Sequence, residues 1–226
     1  MAIAVNQVVS VTGSGVTSVT TASITTTTGN LFVANVAYYV GGGQPFSSIT
    51  DSKSNSWSSE SIGDQQSGTG GGRQRYVANG TGGSSHTFTY NSSITDYPAF
   101  VVYEVSGADT TTPLAETNNS GALTGGTSYS LALSVTCPPN KLILAYACSN
   151  WAVAETVSQT GSFTADKNLG SQGVNEANLS SQLGVTTTGS STFSFSFGGA
   201  SENYIIGMSA WKEAAAGDTL FAQASM

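Results

Sequence analysis

Charged side chains are scarce in this chain: only 8% of its 226 residues are Asp, Glu, Lys or Arg. Lys and Glu are among the residues that favour exposed helices, so a helical protein is not expected. Only six residues are basic, they form no run, and the formal net charge is −7. Because phosphate binding needs clustered Lys and Arg, we expect no nucleic-acid partner and no binding to an anionic membrane surface.

Long apolar runs are also missing. No stretch approaches the roughly 18 apolar residues of a membrane-spanning helix, and the first six residues lack the basic and apolar segments of a secretory signal. Cys137 and Cys148 are too few for a disulfide framework, so we expect buried free thiols, with a bridge between them as the alternative. With one histidine and no phosphate-binding glycine motif, we expect no metal and no cofactor.

Short runs of hydroxyl, β-branched and aromatic residues, separated by glycine pairs, make up most of the chain. Such residues fit strands, and glycine supplies the positive φ that tight turns require. In residues 192–197 every second residue is Phe, which places three rings on one face of a strand and the hydroxyls on the other. Residues 31–37 are almost continuously apolar and predict a central strand covered on both faces. We predict an all-β fold, an antiparallel, jelly-roll-like β-sandwich.

A weak internal repeat divides the chain. Asn30 and the run after it resemble Asn140 and its run, residues 87–90 resemble 192–195, and residues 99–107 resemble 204–212. One sandwich body of residues 1–213 is preferred, because no Pro-rich or charge-rich linker interrupts it. The alternative is two pseudo-repeated halves of about 1–110 and 125–213. Residues 214–226 are predicted to form a C-terminal arm.

Few side chains point to catalysis, and we expect no enzyme. His86 is the one candidate general base for a Ser–His–acid set, but no nucleophile motif lies beside it, so a structural role is expected. Glu104 interrupts the apolar residues 100–105. A carboxylate in such a run needs a partner, and we predict a structural ion pair with Arg73 or Arg75, with Arg75 preferred. A glycan hydrolase or lyase, which needs two acids in one cleft, is the least favoured alternative.

Residues 51–57 join two strand-like pieces and contain Asp51, Lys53, Asn55 and Trp57. Asp and Asn stabilise turns by bonding their own backbone, so turn chemistry is predicted. The spacing is not that of a calcium loop, and Lys53 opposes a cation. Trp57 and Trp151 are the candidates for a sugar-stacking platform, although scattered tryptophans more often fill cores.

Four segments in this order carry a resemblance: Thr50-Asp51-Ser52 with Asn55-Ser56-Trp57, then residues 76–83, 86–90 and 101–109. Together they are similar to a recurring Gly/Ser/Thr-rich β-sandwich domain of tailed-bacteriophage structural proteins and of bacterial surface proteins. The resemblance spans residues 28–109, and the second half follows it more loosely. Ser54 stands where that family has glycine. The family offers no catalytic residues to carry over.

The resemblance implies a non-enzymatic virion protein assembled in a host cytoplasm. The leading hypothesis is a capsid decoration or cement protein, a homotrimer that binds the major capsid protein. Leu220 and Phe221 of the arm are the predicted capsid or subunit contacts. The alternative is a carbohydrate-binding module or phage fibre adhesin that uses Trp57 and Trp151.

Overall fold

The computed structural model describes residues 2–39, 45–67, 70–121, 123–126, 128–135, 140–150, 157–160, 163–169, 176–185, 189–197 and 202–215. The described residues form strands and no helix, which confirms the all-β prediction. The positions of Leu220, Phe221, Trp151 and Cys137 lie outside the described residues, as does the predicted arm from residue 216 onward.

The first half folds into two facing antiparallel sheets. A five-stranded sheet has the order β1-β10-β4-β7-β6, a three-stranded sheet has the order β2-β9-β5, and β3 pairs with β8. β6 and β7 form a hairpin within the larger sheet, and the two facing sheets make a jelly-roll-like sandwich. The strands are β1 (Ala4–Thr12), β2 (Val16–Thr20), β3 (Ile24–Thr26), β4 (Leu31–Tyr39), β5 (Phe46–Asp51), β6 (Ser59–Ser67), β7 (Gly70–Val77), β8 (Gly83–His86), β9 (Phe88–Asp96) and β10 (Ala99–Ser106).

The second half repeats this arrangement. Its larger sheet has the order β11-β19-β14-β17-β16, with β12 also on β19, and its smaller sheet has the order β13-β18-β15. The strands are β11 (Leu114–Asn119), β12 (Leu123–Gly126), β13 (Ser128–Val135), β14 (Lys141–Asn150), β15 (Val157–Thr160), β16 (Thr164–Leu169), β17 (Glu176–Val185), β18 (Gly189–Phe197) and β19 (Glu202–Lys212). The three segment pairs that resemble each other in sequence therefore form matching strands: β4 with β14, β9 with β18, and β10 with β19.

One hydrophobic core fills the first sandwich. Phe32 and Val36 of β4 pack there against Phe88 and Tyr90 of β9, and all four side chains are fully buried. Period-2 alternation sends the neighbouring residues of β4 to the opposite face. β4 lies between β10 and β7, and its residues 31–38 are buried, as the continuous apolar sequence predicts.

The opposite face of β4 packs against the second half. Leu31 and Val33 share a buried cluster with Leu142 and Leu144 of β14. The two larger sheets approach closely: a Cβ on Gly207 of β19 would lie 2.6 Å from Ile62 Cδ1 of β6, and one on Gly72 of β7 would lie 3.0 Å from Tyr146 Cε2 of β14. The molecule thus has four layers, with the two larger sheets inside and the two three-stranded sheets outside.

Candidate functional site

Asp51, His86 and Glu104, three of the residues singled out in the sequence, lie near one another at one end of the first sandwich. Asp51 ends β5, and its carboxylate organises the turn that follows. Asp51 Oδ1 accepts hydrogen bonds from the backbone N–H of Lys53 (2.8 Å) and Asn55 (3.3 Å), and Oδ2 accepts one from Trp57 Nε1 (2.6 Å). Ser54 has a φ of 60°, a conformation that glycine adopts without strain. The predicted turn chemistry is therefore present.

The Asn55 side chain bonds this turn to the turn that contains Thr81. Its Nδ2 donates to the Thr81 carbonyl at 3.0 Å, and its Oδ1 accepts from the Thr81 N–H at 2.7 Å. Lys53 Nζ donates to the Ser84 carbonyl at 2.8 Å. The segments that carry the sequence resemblance are thus bound to each other by hydrogen bonds, which explains why these residue types occur together.

His86 lies beneath this turn and is fully buried. Its Nδ1 is 2.7 Å from Thr26 Oγ1, and its Nε2 is 3.4 Å from Asp51 Oδ1. Thr26 Oγ1 also accepts from the Gly83 N–H at 3.3 Å, so its own proton is available to Nδ1. The other ring nitrogen, Nε2, faces the Asp51 carboxylate. The ring packs against Phe88, with 4.2 Å between centroids.

Burial determines the charge of the histidine. Removal from water is the largest influence on the His86 pKa and lowers it, although the Asp51 carboxylate acts in the opposite direction. For Asp51 burial is also the largest single influence, and it raises the pKa. The hydrogen bonds from Trp57, Asn55 and Lys53 together outweigh burial, so the Asp51 pKa is lowered. His86 is therefore neutral and Asp51 ionised at neutral pH.

Thr26, His86 and Asp51 lie next to one another in space, and they supply a hydroxyl, an imidazole and a carboxylate, the groups found in a catalytic triad. Catalysis needs a substrate within reach of the hydroxyl, but Thr26 is only 5% exposed and the imidazole is covered by aromatic rings. The set therefore connects strands β3, β5 and β8, and its hydrogen bonds belong to the fold.

Glu104 is 2% exposed in β10 and has three N–H donors around it. Its Oε1 accepts from the Thr27 N–H and from Asn30 Nδ2, both at 2.7 Å, and its Oε2 accepts from Gln7 Nε2. The predicted ion pair with Arg75 is wrong. Arg75 lies two strands away across β4, where it donates to the carbonyls of Trp57 and Ser58. A buried carboxylate can be satisfied by neutral donors, and β1 and the β3–β4 turn supply them here.

Trp57 does not form an exposed sugar platform. It is 6% exposed, its ring meets Phe88 edge to face at 6.0 Å between centroids, and its N–H is bonded to Asp51. The prediction for Trp57 is therefore wrong, and the core interpretation holds. Cys148 is buried, with 3% of its surface exposed.

The outer surface of the sheet β2-β9-β5 carries rows of hydroxyl and amide side chains. Cross-strand rows run Thr20–Thr89–Thr50 and Ser18–Asn91–Ser48. The alternate row, Val19–Tyr90–Ile49, is buried beneath them. We call the outward residues the hydroxyl face: Ser18, Thr20, Ser48, Thr50, Ser52, Thr87, Thr89 and Asn91.

Side chains on the hydroxyl face bond to each other. Thr20 Oγ1 and Thr89 Oγ1 are 2.9 Å apart, and Asn91 Nδ2 donates to Ser48 Oγ at 3.2 Å and to Thr50 Oγ1 at 3.3 Å. None of its eight members carries a charge. Alternation in each strand indicates outward hydroxyls, but only the pairing of three distant strands shows that they form one face.

The other outer sheet has the same character where its side chains are described. Phe193 is fully buried and Thr192 is exposed, as the alternation in residues 192–197 predicts. Ser194 Oγ lies 2.7 Å from Ser130 Oγ across β13 and β18. Thr192 and Ser196 belong to the same strand and alternate with the Phe residues. The molecule therefore presents hydroxyls on two opposite sides.

No three His, Cys, Asp or Glu side chains among the described residues converge to hold a metal ion. In the same part of the chain no helix is long and apolar enough to cross a membrane. Asp51, His86 and Glu104 each form hydrogen bonds within the protein.

Comparisons with known proteins identify no family. No family model matches the chain, and no curated protein matches it. Among solved structures it is similar to a conserved protein of unknown function from Pseudomonas aeruginosa, at 6% identity and a TM-score of 0.27, over 86% of this chain and 80% of the other. It is also similar to HutD from Pseudomonas fluorescens, at 8% identity and a TM-score of 0.23, over 85% and 77%. At these TM-scores the likenesses carry no argument about function.

Proposed function

We propose that this protein is a non-enzymatic structural protein of a tailed-bacteriophage particle. In this proposal it decorates and cements the head shell by binding the major capsid protein as a homotrimer, after assembly in the host cytoplasm. The proposal rests on the sequence resemblance of residues 28–109 together with the two-sandwich architecture. Jelly-roll folds serve in capsids, lectins and enzymes alike, so the fold alone does not choose among them.

One observation favours a structural role over chemistry. The side chains best suited to catalysis, His86, Asp51 and Glu104, are buried and each is bonded to neighbouring strands or turns. Buried hydrogen bonds between strands and turns rigidify a fold. A protein that holds a shell together needs such rigidity, and it needs extended surfaces more than a cleft.

The decisive experiment is quantitative mass spectrometry of density-purified particles from the culture that carries the gene. A copy number comparable with that of the major capsid protein supports a decoration or cement role. A few copies per particle would instead indicate a fibre or vertex protein. Absence from the particles would refute the proposal.

A second experiment tests attachment to the particle directly. Particles stripped of this protein are mixed with the purified full chain and sedimented. Saturable recovery of the chain in the particle pellet, with increased resistance of the heads to heat, is expected. If the chain stays in the supernatant at saturating concentrations, binding to the shell is refuted.

A further inference from the structure

The hydroxyl face has the chemistry of a binding surface for an uncharged polar polymer. Each Ser or Thr hydroxyl both donates and accepts hydrogen bonds, and Asn91 does so through its amide. Thr20, Thr50 and Ser18 are exposed. The chain as a whole has a net charge of −7, yet this face has none. A charged partner would lose hydration here without gaining an opposite charge, so the face favours a neutral partner.

The size of the face argues against a stable protein–protein contact through it alone. Three strands about 4.8 Å apart and five residues of about 3.4 Å each give roughly 250 Å². A stable protein interface buries about 800 Å² on each partner. A face this small binds weakly by itself, and weak sites become effective when several of them engage one extended, repeating ligand.

The internal repeat supplies a second site of the same kind. Ser130, Thr192 and Ser194 lie on the outer sheet β13-β18-β15, on the far side of the four-layer body from Thr89. Two hydroxyl surfaces on opposite sides of one body can each engage a different chain of the same polysaccharide matrix, so that both sites contribute to retention. We propose that the hydroxyl face and its counterpart bind a neutral polysaccharide, whose own hydroxyls match both donors and acceptors.

This inference is independent of the proposed attachment to a capsid. It also differs from the tryptophan platform, because it needs no ring stacking: the binding groups are hydroxyls and one amide. Binding should consequently depend little on salt, since no ion pair forms.

Sedimentation with insoluble polysaccharides tests the inference. The full chain is mixed with particles of cellulose, starch and chitin, and with an alginate gel as an anionic comparison. We expect the chain to be retained by at least one of the neutral polymers, equally at low and high NaCl concentration, and not by alginate. Retention by none of the neutral polymers, or by alginate alone, would overturn the inference.

Charge substitutions locate the site. Thr89→Arg places a cation at the centre of the hydroxyl face and should weaken binding about tenfold, because the charge loses water against a neutral ligand. Thr95→Arg, at an exposed position of the same strand outside the face, is the matched control and should bind as wild type. Thr50→Arg on β5 serves as a second variant if Thr89→Arg does not fold. The combination of Thr89→Arg with Ser194→Arg should lose more than either alone.

Two results would contradict the assignment to these faces. The first is a folded Thr89→Arg protein that binds the neutral polymer as tightly as wild type. The second is concentration-dependent self-association in analytical ultracentrifugation that Thr89→Arg abolishes, which would make the face an interface between copies of this chain.

Discussion

Replacing Glu104 with Gln tests the buried carboxylate in the first sandwich. The substitution preserves size but turns one acceptor oxygen into an NH₂ group. If the remaining oxygen faces Thr27 N–H and Asn30 Nδ2, the new NH₂ meets Gln7 Nε2, which is itself a donor. Flipping the Gln7 amide would not help, because its Nε2 also donates to the Thr25 carbonyl at 2.6 Å.

The magnitude follows from the bonds that change. A hydrogen bond to a charged group contributes about 1.5–3 kcal/mol, roughly twice a neutral one. Glu104→Gln loses one such bond and weakens two others, while the loss of the charge removes part of the desolvation penalty. We expect a net loss of about 2–3 kcal/mol in the free energy of unfolding. For a chain of this length that lowers the thermal midpoint by about 5–10 °C.

Urea unfolding followed by tryptophan fluorescence, with calorimetry for the midpoint, measures the effect. Glu213→Gln is the matched control, since Glu213 is partly exposed and its substitution should change stability by less than about 0.5 kcal/mol. If Glu104→Gln and wild type unfold at the same urea concentration, the three donors do not stabilise the carboxylate and the reasoning fails.

Three further predictions concern pH, packing and the arm. The free energy of unfolding should fall below pH 6.5, because unfolded His86 binds a proton that the native ring, with its lowered pKa, resists. The free energy of unfolding should decrease again as the pH drops below 3.8, because unfolded Asp51 takes up a proton at a higher pH than the native carboxylate does. Urea midpoints measured across this pH range test both steps. The decrease that begins at pH 6.5 should occur in wild type and be absent in His86→Gln. Gly207→Ala should cost about 1–3 kcal/mol through overpacking, and Ile62→Val should restore part of it, since Ile62 Cδ1 would lie 2.6 Å from the new Cβ. Deleting residues 214–226 should reduce occupancy on phage particles without unfolding the body; unchanged occupancy refutes the arm as a clamp.

Several features of the fold could be predicted from local sequence. The uninterrupted apolar residues of β4 predict a strand covered on both faces, and the alternation around Phe193 predicts one buried and one outward face. Both are found. These predictions succeed because side-chain alternation is a local property of an extended chain.

The register of the repeat could not be predicted to the residue. Sequence similarity aligns Asn30 with Asn140 and therefore Leu31 with Lys141. In the structure Leu31 and Leu142 share the cluster between the two larger sheets, so the equivalent positions differ by one residue. A shift of one residue exchanges the two faces of a strand, and only packing against another sheet decides which face is which.

The sequence also did not show which groups hydrogen-bond to the buried polar side chains. The sequence shows that Glu104 is a carboxylate in an apolar strand and therefore needs partners, but charge alone favoured Arg75. The donors come from β1 and from the turn before β4, and the chain brings them together through long-range strand pairing. Likewise, the sequence does not show whether Trp57 is exposed or buried. Its contacts with Asp51 and Phe88 bury it in the folded protein.

The sequence by itself determined the all-β class and the hydroxyl-rich character of the strands, because composition and period-2 alternation act within a few residues. The tertiary structure decided which strands are neighbours. It thereby gathered Ser and Thr from β2, β5 and β9 into one uncharged face, and it buried the Thr26–His86–Asp51 set beneath a turn. Both outcomes depend on contacts between residues far apart in the chain, which local pattern does not encode.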